Sequence, residues 1–315
     1  MTEVKFSVTV PAYKGVYLAE CIESILAQTY RNFEVIIVND ASPENLNNII
    51  EQYADSRIKY YVNQTNCGSI DVVDNWNKCL EYATGDFIIC MGDDDKLLPN
   101  CLEEYCKLIN KFSKIHVYQA WTELIDEEGI LYDIKPALPL WESEFSIIWH
   151  NIHGRGQYIG NILFDIKTLR ASGGFYKLPM ALASDEISTY IAARDHGIAN
   201  SQIPLFQYRI NRYTITNNGN VEALMKSVNL MQQWYDNEFQ KVAKTKIDEV
   251  YRTKLIKEMP NYYRKMRRAI IHNDLRNKSI QKYLKWLMNR KKYNMSLMDF
   301  AIIFYSSIIK KQKRI

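Results

Sequence analysis

Four short β-branched runs separated by stretches of helical spacing fill the first hundred residues, and this alternation narrows the fold more than any other feature of the chain. Phe6-Ser7-Val8-Thr9-Val10, Glu34-Val35-Ile36-Ile37-Val38, Ile58-Lys59-Tyr60-Tyr61-Val62 and Phe87-Ile88-Ile89-Cys90-Met91 predict strands. Helices are predicted near 17–28, 44–54 and 70–83. The second of these opens on Ser42-Pro43-Glu44-Asn45, an N-cap with proline at the first helical position. The rhythm predicts an α/β fold with a mainly parallel, doubly wound sheet, and such sheets bind ligands beyond the carboxyl ends of their strands.

Beyond residue 97 the pattern loosens. A helix is expected near 99–111, a strand at Ile115-His116-Val117-Tyr118-Gln119, and a turn at Asp126-Glu127-Glu128-Gly129. An apolar stretch from Tyr158 to Ile166, the glycine turn Gly173-Gly174-Phe175 and a helix near 184–196 follow, and we expect this part to complete the first domain by about residue 220. From 221 onward the spacing is helical, with Ile280, Tyr283, Leu284, Leu287 and Met288 on one face.

Charge divides the chain. Residues 251–315 hold 18 Lys+Arg against 3 Asp+Glu, whereas residues 1–250 hold 22 against 33. The acidic body argues against a nucleic-acid-reading surface, and the basic tail suits an anionic membrane surface, a polyanion or an acidic neighbour. The six cysteines form no CxxC pair and read as reduced core thiols. The N-terminus lacks the apolar core of a signal peptide, so a cytoplasmic protein is expected.

The strongest local signal is Gly92-Asp93-Asp94-Asp95, directly after a buried strand. Adjacent carboxylates repel, and a strand end tolerates them where solvent or a cation neutralises the charge. In an extended segment Asp93 and Asp95 would point to one side, offering oxygen ligands that suit Mg²⁺ or Mn²⁺. The bland alternative is an acidic loop leading into a helix N-terminus. Other strand ends carry Pro11-Ala12-Tyr13 and Asn39-Asp40-Ala41-Ser42, able to hold a base by stacking and hydrogen bonding, and Asn66-Cys67-Gly68 predicts a tight turn.

Taken in order, VTVPAYKG at 8–15, EVIIVNDAS at 34–42, NQTNCG at 63–68, ATGDFIICMGDDDKLLP at 83–99 and GGF at 173–175 resemble the family 2 inverting glycosyltransferases with the GT-A fold. The resemblance spans about residues 5–215. It implies a GT-A domain over 1–220, with a donor half at about 1–96 and an acceptor half at about 97–220, ahead of a helical basic extension at 221–315. Pro11, Ala12 and Tyr13 would then border the nucleobase, Asp40 would bind uracil or ribose, and Asn66 and Gly68 would lie beside the donor. Asp94 would contact the ribose, Asp95 would be the metal ligand, and Asp93 a donor contact and additional ligand. Asp185, after the glycine turn, takes the position of the catalytic base. From the residues alone, Ser184-Asp185-Glu186 also reads as a helix N-cap.

The implied activity is metal-dependent transfer of a hexosyl or N-acetylhexosaminyl group from a nucleotide sugar, a UDP-sugar on the strength of the implied uracil contact, to a hydroxyl of a glycan or lipid-linked saccharide in bacterial surface polysaccharide synthesis. Rivals are a catalytically silent scaffold that binds nucleotide sugar or membrane, and a nucleotidyltransferase, whose basic glycine-rich loop the Pro11-Ala12-Tyr13-Lys14-Gly15 segment does not resemble. Asp74-Asn75-Trp76-Asn77 departs from the commoner Ala-Arg-Asn run, and Arg209 or Arg212 is a candidate for the diphosphate. His150 and His153 lack a third metal ligand in sequence and suit a mobile acceptor loop. The apolar stretch Met295 to Ile309 would reach about 22 Å as a helix, short of the roughly 30 Å hydrocarbon core. Its Met295, Met298, Ile302, Tyr305 and Ile309 are expected at a lipid headgroup boundary, making the protein peripheral on the inner membrane face.

Overall fold

The computed structural model describes residues 4–211, 220–275 and 280–312. It divides into two compact units, residues 1–177 with 183–214, and residues 178–182 with 215–315. The second unit thus takes in a short segment next to the expected catalytic helix, which sequence spacing does not reveal.

The first unit is a ten-stranded mixed sheet. Its strands are β1 (Phe6–Ala12), β2 (Phe33–Asn39), β3 (Ile58–Val62), β4 (Phe87–Cys90), β5 (Lys96–Leu97), β6 (Val117–Ile125), β7 (Leu131–Ile134), β8 (Trp141–Glu142), β9 (Ile162–Asp165) and β10 (Ile198–Arg209). The order β3-β2-β1-β4-β9-β6-β10-β5 puts β1 at a switch point, with β2 leaving on one side and β4 on the other. β1, β2, β3 and β4 run parallel, while β9 is antiparallel to both β4 and β6. β1, β2 and β4 are almost wholly buried, as continuous apolar runs require of strands covered on both faces.

Helices α1 (Leu18–Leu26), α2 (Asn47–Ile50), α3 (Val72–Tyr82), α4 (Cys101–Lys111), α5 (Glu144–Ile152), α6 (Ile166–Ala171) and α7 (Ser184–Ala193) connect the strands. α2 is shorter than expected. Ser42 does not cap it: its hydroxyl donates to Tyr13 O and accepts from Glu44 N, so the Ser42-Pro43 signal builds a turn instead. The Tyr158–Ile166 stretch holds a 3-10 turn at Ile159–Asn161 and the short β9 and ends where α6 begins, and His150 and His153 end α5 instead of forming a mobile loop, with His153 Nδ1 2.7 Å from Trp149 O.

Glu34 fastens the lower edge of the sheet. Its buried carboxylate accepts from Ser7 Oγ, Lys59 Nζ and Thr84 N, at 2.7, 2.6 and 2.7 Å, joining β1, β2, β3 and the turn before β4. Burial pushes its pKa up, but the Lys59 ammonium, the Ser7 hydroxyl and Thr84 outweigh burial and hold it at about 2, against an ordinary 4.5. A depressed carboxyl pKa gives stability that is present above pH 4.5 and lost as pH falls toward 2. Glu34→Gln should therefore cost about 2–4 kcal/mol at pH 7. The difference in urea midpoint between the two proteins should narrow steadily below pH 4.5, and equal midpoints at pH 7 would contradict the assignment.

The second unit contains α8 (Val221–Glu238), α9 (Lys246–Asp274), α10 (Ile280–Met288) and α11 (Leu297–Gln312). Met225, Ile271, Trp286, Met295, Phe300 and Ile303 form its apolar cluster. No strand occurs among its described residues, as the helical spacing predicts.

Candidate functional site

The parallel strands deliver three polar groups to one end of the sheet. β2 ends in Asn39-Asp40, and Ala41 adopts a left-handed φ of 48°, a conformation costly for a residue with a side chain. Asp40 is buried and accepts from Asn63 Nδ2 at 2.9 Å and Cys67 N at 3.0 Å, while its own carbonyl accepts from Asn66 Nδ2 at 2.6 Å. Asn63 in turn donates to Asn75 Oδ1 on α3, and Asn75 donates to Val38 O. Asp40 therefore shapes the 63–68 turn, closed by Gly68 at φ +73°. Asn63 and Asn75 were not singled out by sequence. Their signal is a pair of asparagines, one after a strand and one inside an otherwise amphipathic helix.

Pro11 and Ala12 close β1, and Tyr13 follows as an exposed ring. The backbone N–H groups of Tyr13 and Lys14 both donate to Asp93 Oδ2, at 2.7 and 2.8 Å. Asp93 thus anchors the β1–α1 loop. Burial, then the neighbouring Asp94, pushes its pKa up to about 6 against those two donors.

Asp93 and Asp94 form a turn, not the extended segment expected, so the alternation of side chains does not hold. The pair that converges is Asp94 with Asp95: a Cβ at Gly92 would lie 2.7 Å from Asp94 Oδ1 and 3.1 Å from Asp95 Oδ2. Only glycine leaves both oxygens room. Burial followed by Asp94 holds the Asp95 pKa well above the usual range, and burial raises that of Asp94. Such mutually repelling carboxylates are suited to receive a divalent cation. Among the described residues no group of three or more His, Cys, Asp or Glu side chains could hold a metal by itself.

Arg209, at the end of β10, lies behind this turn and is fully buried. Its backbone N donates to Asp95 Oδ1 at 3.0 Å and its Nε to Asp94 O at 2.9 Å. Nη1 donates to the carbonyls of Asp126 and Glu127, Nη2 to Glu20 Oε2 at 2.8 Å, and the guanidinium lies 4.2 Å from the Tyr17 ring centre. Arg209 is consequently committed to the protein and is not the diphosphate contact expected. Arg212 lies outside the described residues. Asn211 Nδ2 donates to Asp94 Oδ2 at 2.6 Å.

The expected base, Asp185, lies on α7. Ala183, at φ 65°, takes the N-cap position without a side-chain cap, so Ser184 begins the helix instead of capping it, while Asp185 and Glu186 lie in the first turn as the capping reading has them. Burial raises the Asp185 pKa against the N–H groups of Glu186 and Asp185, and burial together with Asp185 raises Glu186 further. Met180 and Ala181 are also left-handed, at φ 61° and 52°. Strain of this kind concentrates where function fixes geometry. Burial, then the charges of Asp95 and Asp94, then Tyr158 and last Asp185, raise the hydroxyl pKa of Tyr208. Its ring stacks on Tyr158 at 3.9 Å. Tyr158, which precedes a 3-10 turn, and Tyr208, near the end of β10, carry no local signal in sequence that pairs them.

The glycine turn is held by Asn77, which donates to Phe175 O and accepts from Phe175 N at 2.8 Å. Asp74 pairs with Lys177 at 2.6 Å, as does Asp71 at 3.0 Å. The departure at 74–77 therefore has structural uses in this chain.

Residues 7–163 match the family model described as Glycosyl transferase family 2. An uncharacterized glycosyltransferase of Rickettsia typhi is 34% identical over 167 residues, 50% of this chain and 51% of that protein. A Campylobacter jejuni protein, the GalNAc(5)-diNAcBac-PP-undecaprenol beta-1,3-glucosyltransferase, is 32% identical over 130 residues, 40% of each. The chain spans about half the length of the curated relatives it matches. Among solved structures, S. aureus TarS 1-349 in complex with UDP-GlcNAc superimposes with a TM-score of 0.70 at 18% identity, covering 92% of this chain and 80% of that one, a likeness of fold.

Proposed function

As its residues 7–163 make this chain a member of glycosyl transferase family 2, carried on a GT-A fold, we propose that it transfers a hexosyl or N-acetylhexosaminyl group from a UDP-sugar, with inversion, to a hydroxyl of a glycan or lipid-linked saccharide in surface polysaccharide assembly. The observation that carries this is the convergence of the Asp94 and Asp95 carboxylates beside Gly92, just beyond the end of β4, within the segment that matches the family. The UDP-GlcNAc complex of the TarS neighbour supports the donor, and the name of the Campylobacter relative supports a lipid-linked acceptor.

Tyr13, with Pro11 and Ala12, borders the base by stacking, and Asp40 with Asn66 and Gly68 shapes the uracil and ribose pocket. Asp94 and Asp95, with Asp93 bracing the turn, would hold Mn²⁺ or Mg²⁺, whose remaining ligands are water and donor oxygens. Bound there, the cation supplies charge to the departing diphosphate. Asp185 takes the proton of the acceptor hydroxyl while that oxygen bonds to the anomeric carbon and the bond to the diphosphate oxygen breaks. Attack from the face opposite the leaving group inverts the centre.

A thermal-shift series with nucleotide sugars, with and without Mn²⁺, tests the donor. Selective ligands stabilise the native state by about 2.7 kcal/mol at a hundredfold excess over Kd. A UDP-sugar with Mn²⁺ should raise Tm more than either alone. No shift with any nucleotide sugar would overturn the proposal, and binding without transfer or hydrolysis would make the protein a scaffold.

A further inference from the structure

From the way α10 and α11 sort their side chains, we propose that their outer face is a docking surface for an anionic lipid bilayer. Met295, Phe300 and Ile303 turn inward to the cluster around Trp286 and Ile271. Leu284 and Met288 on α10, with Leu297, Met298, Ile302 and Tyr305 on α11, turn outward, Met298 at 68% exposure against 5% for Met295. The expected stripe is thus divided: Met295 belongs to the core, and Leu297 joins the outer face in its place. The side chain of Ile309 lies outside the described residues.

Charge identifies the occupant. Residues 275–315 contain eleven Lys and Arg but a single carboxylate, Asp299. That group is 2% exposed, accepts from Ser296 N and Oγ at 2.8 Å, and faces Arg268 at 3.6 Å. No carboxylate of this segment therefore reaches the surface, whereas Lys285, Lys291 and Lys292 are exposed beside the apolar side chains. A second copy presenting the same face would bring like charges together, but anionic headgroups over an acyl boundary complement both the cations and the apolar groups. No helix among the described residues is long and apolar enough to cross a membrane, which suits a helix pair lying in the interface.

The test uses the full chain, co-sedimented with vesicles of phosphatidylglycerol and phosphatidylcholine or of phosphatidylcholine alone. The wild type should bind the anionic vesicles at low salt and release as ionic strength rises. Each cation at such a surface contributes roughly fivefold, so Lys291→Gln with Lys292→Gln should weaken binding on the order of 30-fold. Met298→Ser with Ile302→Ser should weaken it about tenfold or more, at unchanged net charge. Unchanged circular dichroism would show that both variants fold. Failure of the wild type to bind, equal binding by the variants, or self-association dissolved by the Met298/Ile302 pair without vesicle binding would each overturn the proposal. Vesicle binding by a protein that transfers no sugar would leave it standing and sink the proposed reaction instead.

Discussion

Asp185→Asn should retain donor binding and melt no lower than the wild type at neutral pH, since a raised carboxyl pKa costs stability there, while transfer falls by roughly 10²-fold or more. The substitution keeps an oxygen able to accept the N–H groups of the first turn of α7 and removes only basicity. Because burial raises the Asp185 pKa, the acidic limb of kcat/KM should lie above the ordinary carboxylate range. Deprotonation creates the base, so activity rises with pH through that limb. In the variant the residual rate should lose it. Near-normal turnover would return Asp185 to a structural place at the start of the helix. Glu186→Gln is the control, since Glu186 also has a raised pKa and lies on the same turn. If that variant, and not Asp185→Asn, abolishes turnover, the base is one residue further along.

The second large effect is expected at Asp95. Asp95→Asn preserves an acceptor for Arg209 N while removing one of the two charges beside Gly92. Metal-dependent affinity for the nucleotide should fall by about two orders of magnitude, because a neutral amide oxygen is a poor substitute for a carboxylate toward a hard cation. Without metal the variant should melt higher than the wild type at neutral pH. The reason is linkage: a carboxyl whose folded pKa is raised costs stability as pH climbs from its unfolded value through its folded one, and asparagine has no such cost. Toward pH 4 the two melting temperatures should converge. Wild-type affinity in the variant with Mn²⁺ present would dismiss Asp95 as a ligand. Asp95→Ala is less informative, since Asp95 is buried and its loss would leave Arg209 N unpaired.

The central strands were legible because both faces of β1, β2 and β4 are covered, which favours short runs rich in β-branched residues at regular intervals along the chain. β5 and β8 were not, since two-residue strands have no period. Ser42-Pro43 misled because an N-cap and a polar turn use the same chemistry, and the choice depended on Tyr13, whose carbonyl takes the Ser42 hydroxyl from 29 positions away. At Gly92-Asp93-Asp94-Asp95 composition was informative and geometry was not. Backbone donors at Tyr13 and Lys14 draw Asp93 aside and leave Asp94 and Asp95 to converge. Arg209 reads in sequence as a candidate for the diphosphate, and its burial follows from carbonyls at 94, 126 and 127 that no local window contains.

That arginine limits how such a domain can be recombined. The match to the family ends at residue 163, and Arg209, which props the acidic turn within it, lies 46 positions further on. Residues 7–163 are thus not a portable cassette. A chimera with its crossover between 163 and 209 would inherit Glu20, the acidic turn and the carbonyls of Asp126 and Glu127 without the cation that binds them together. Acceptor specificity could be exchanged by such a graft only if the end of β10 through Asn211 travels with the donor half. The inheritable module is therefore discontinuous in sequence, and its true boundary is set by one guanidinium.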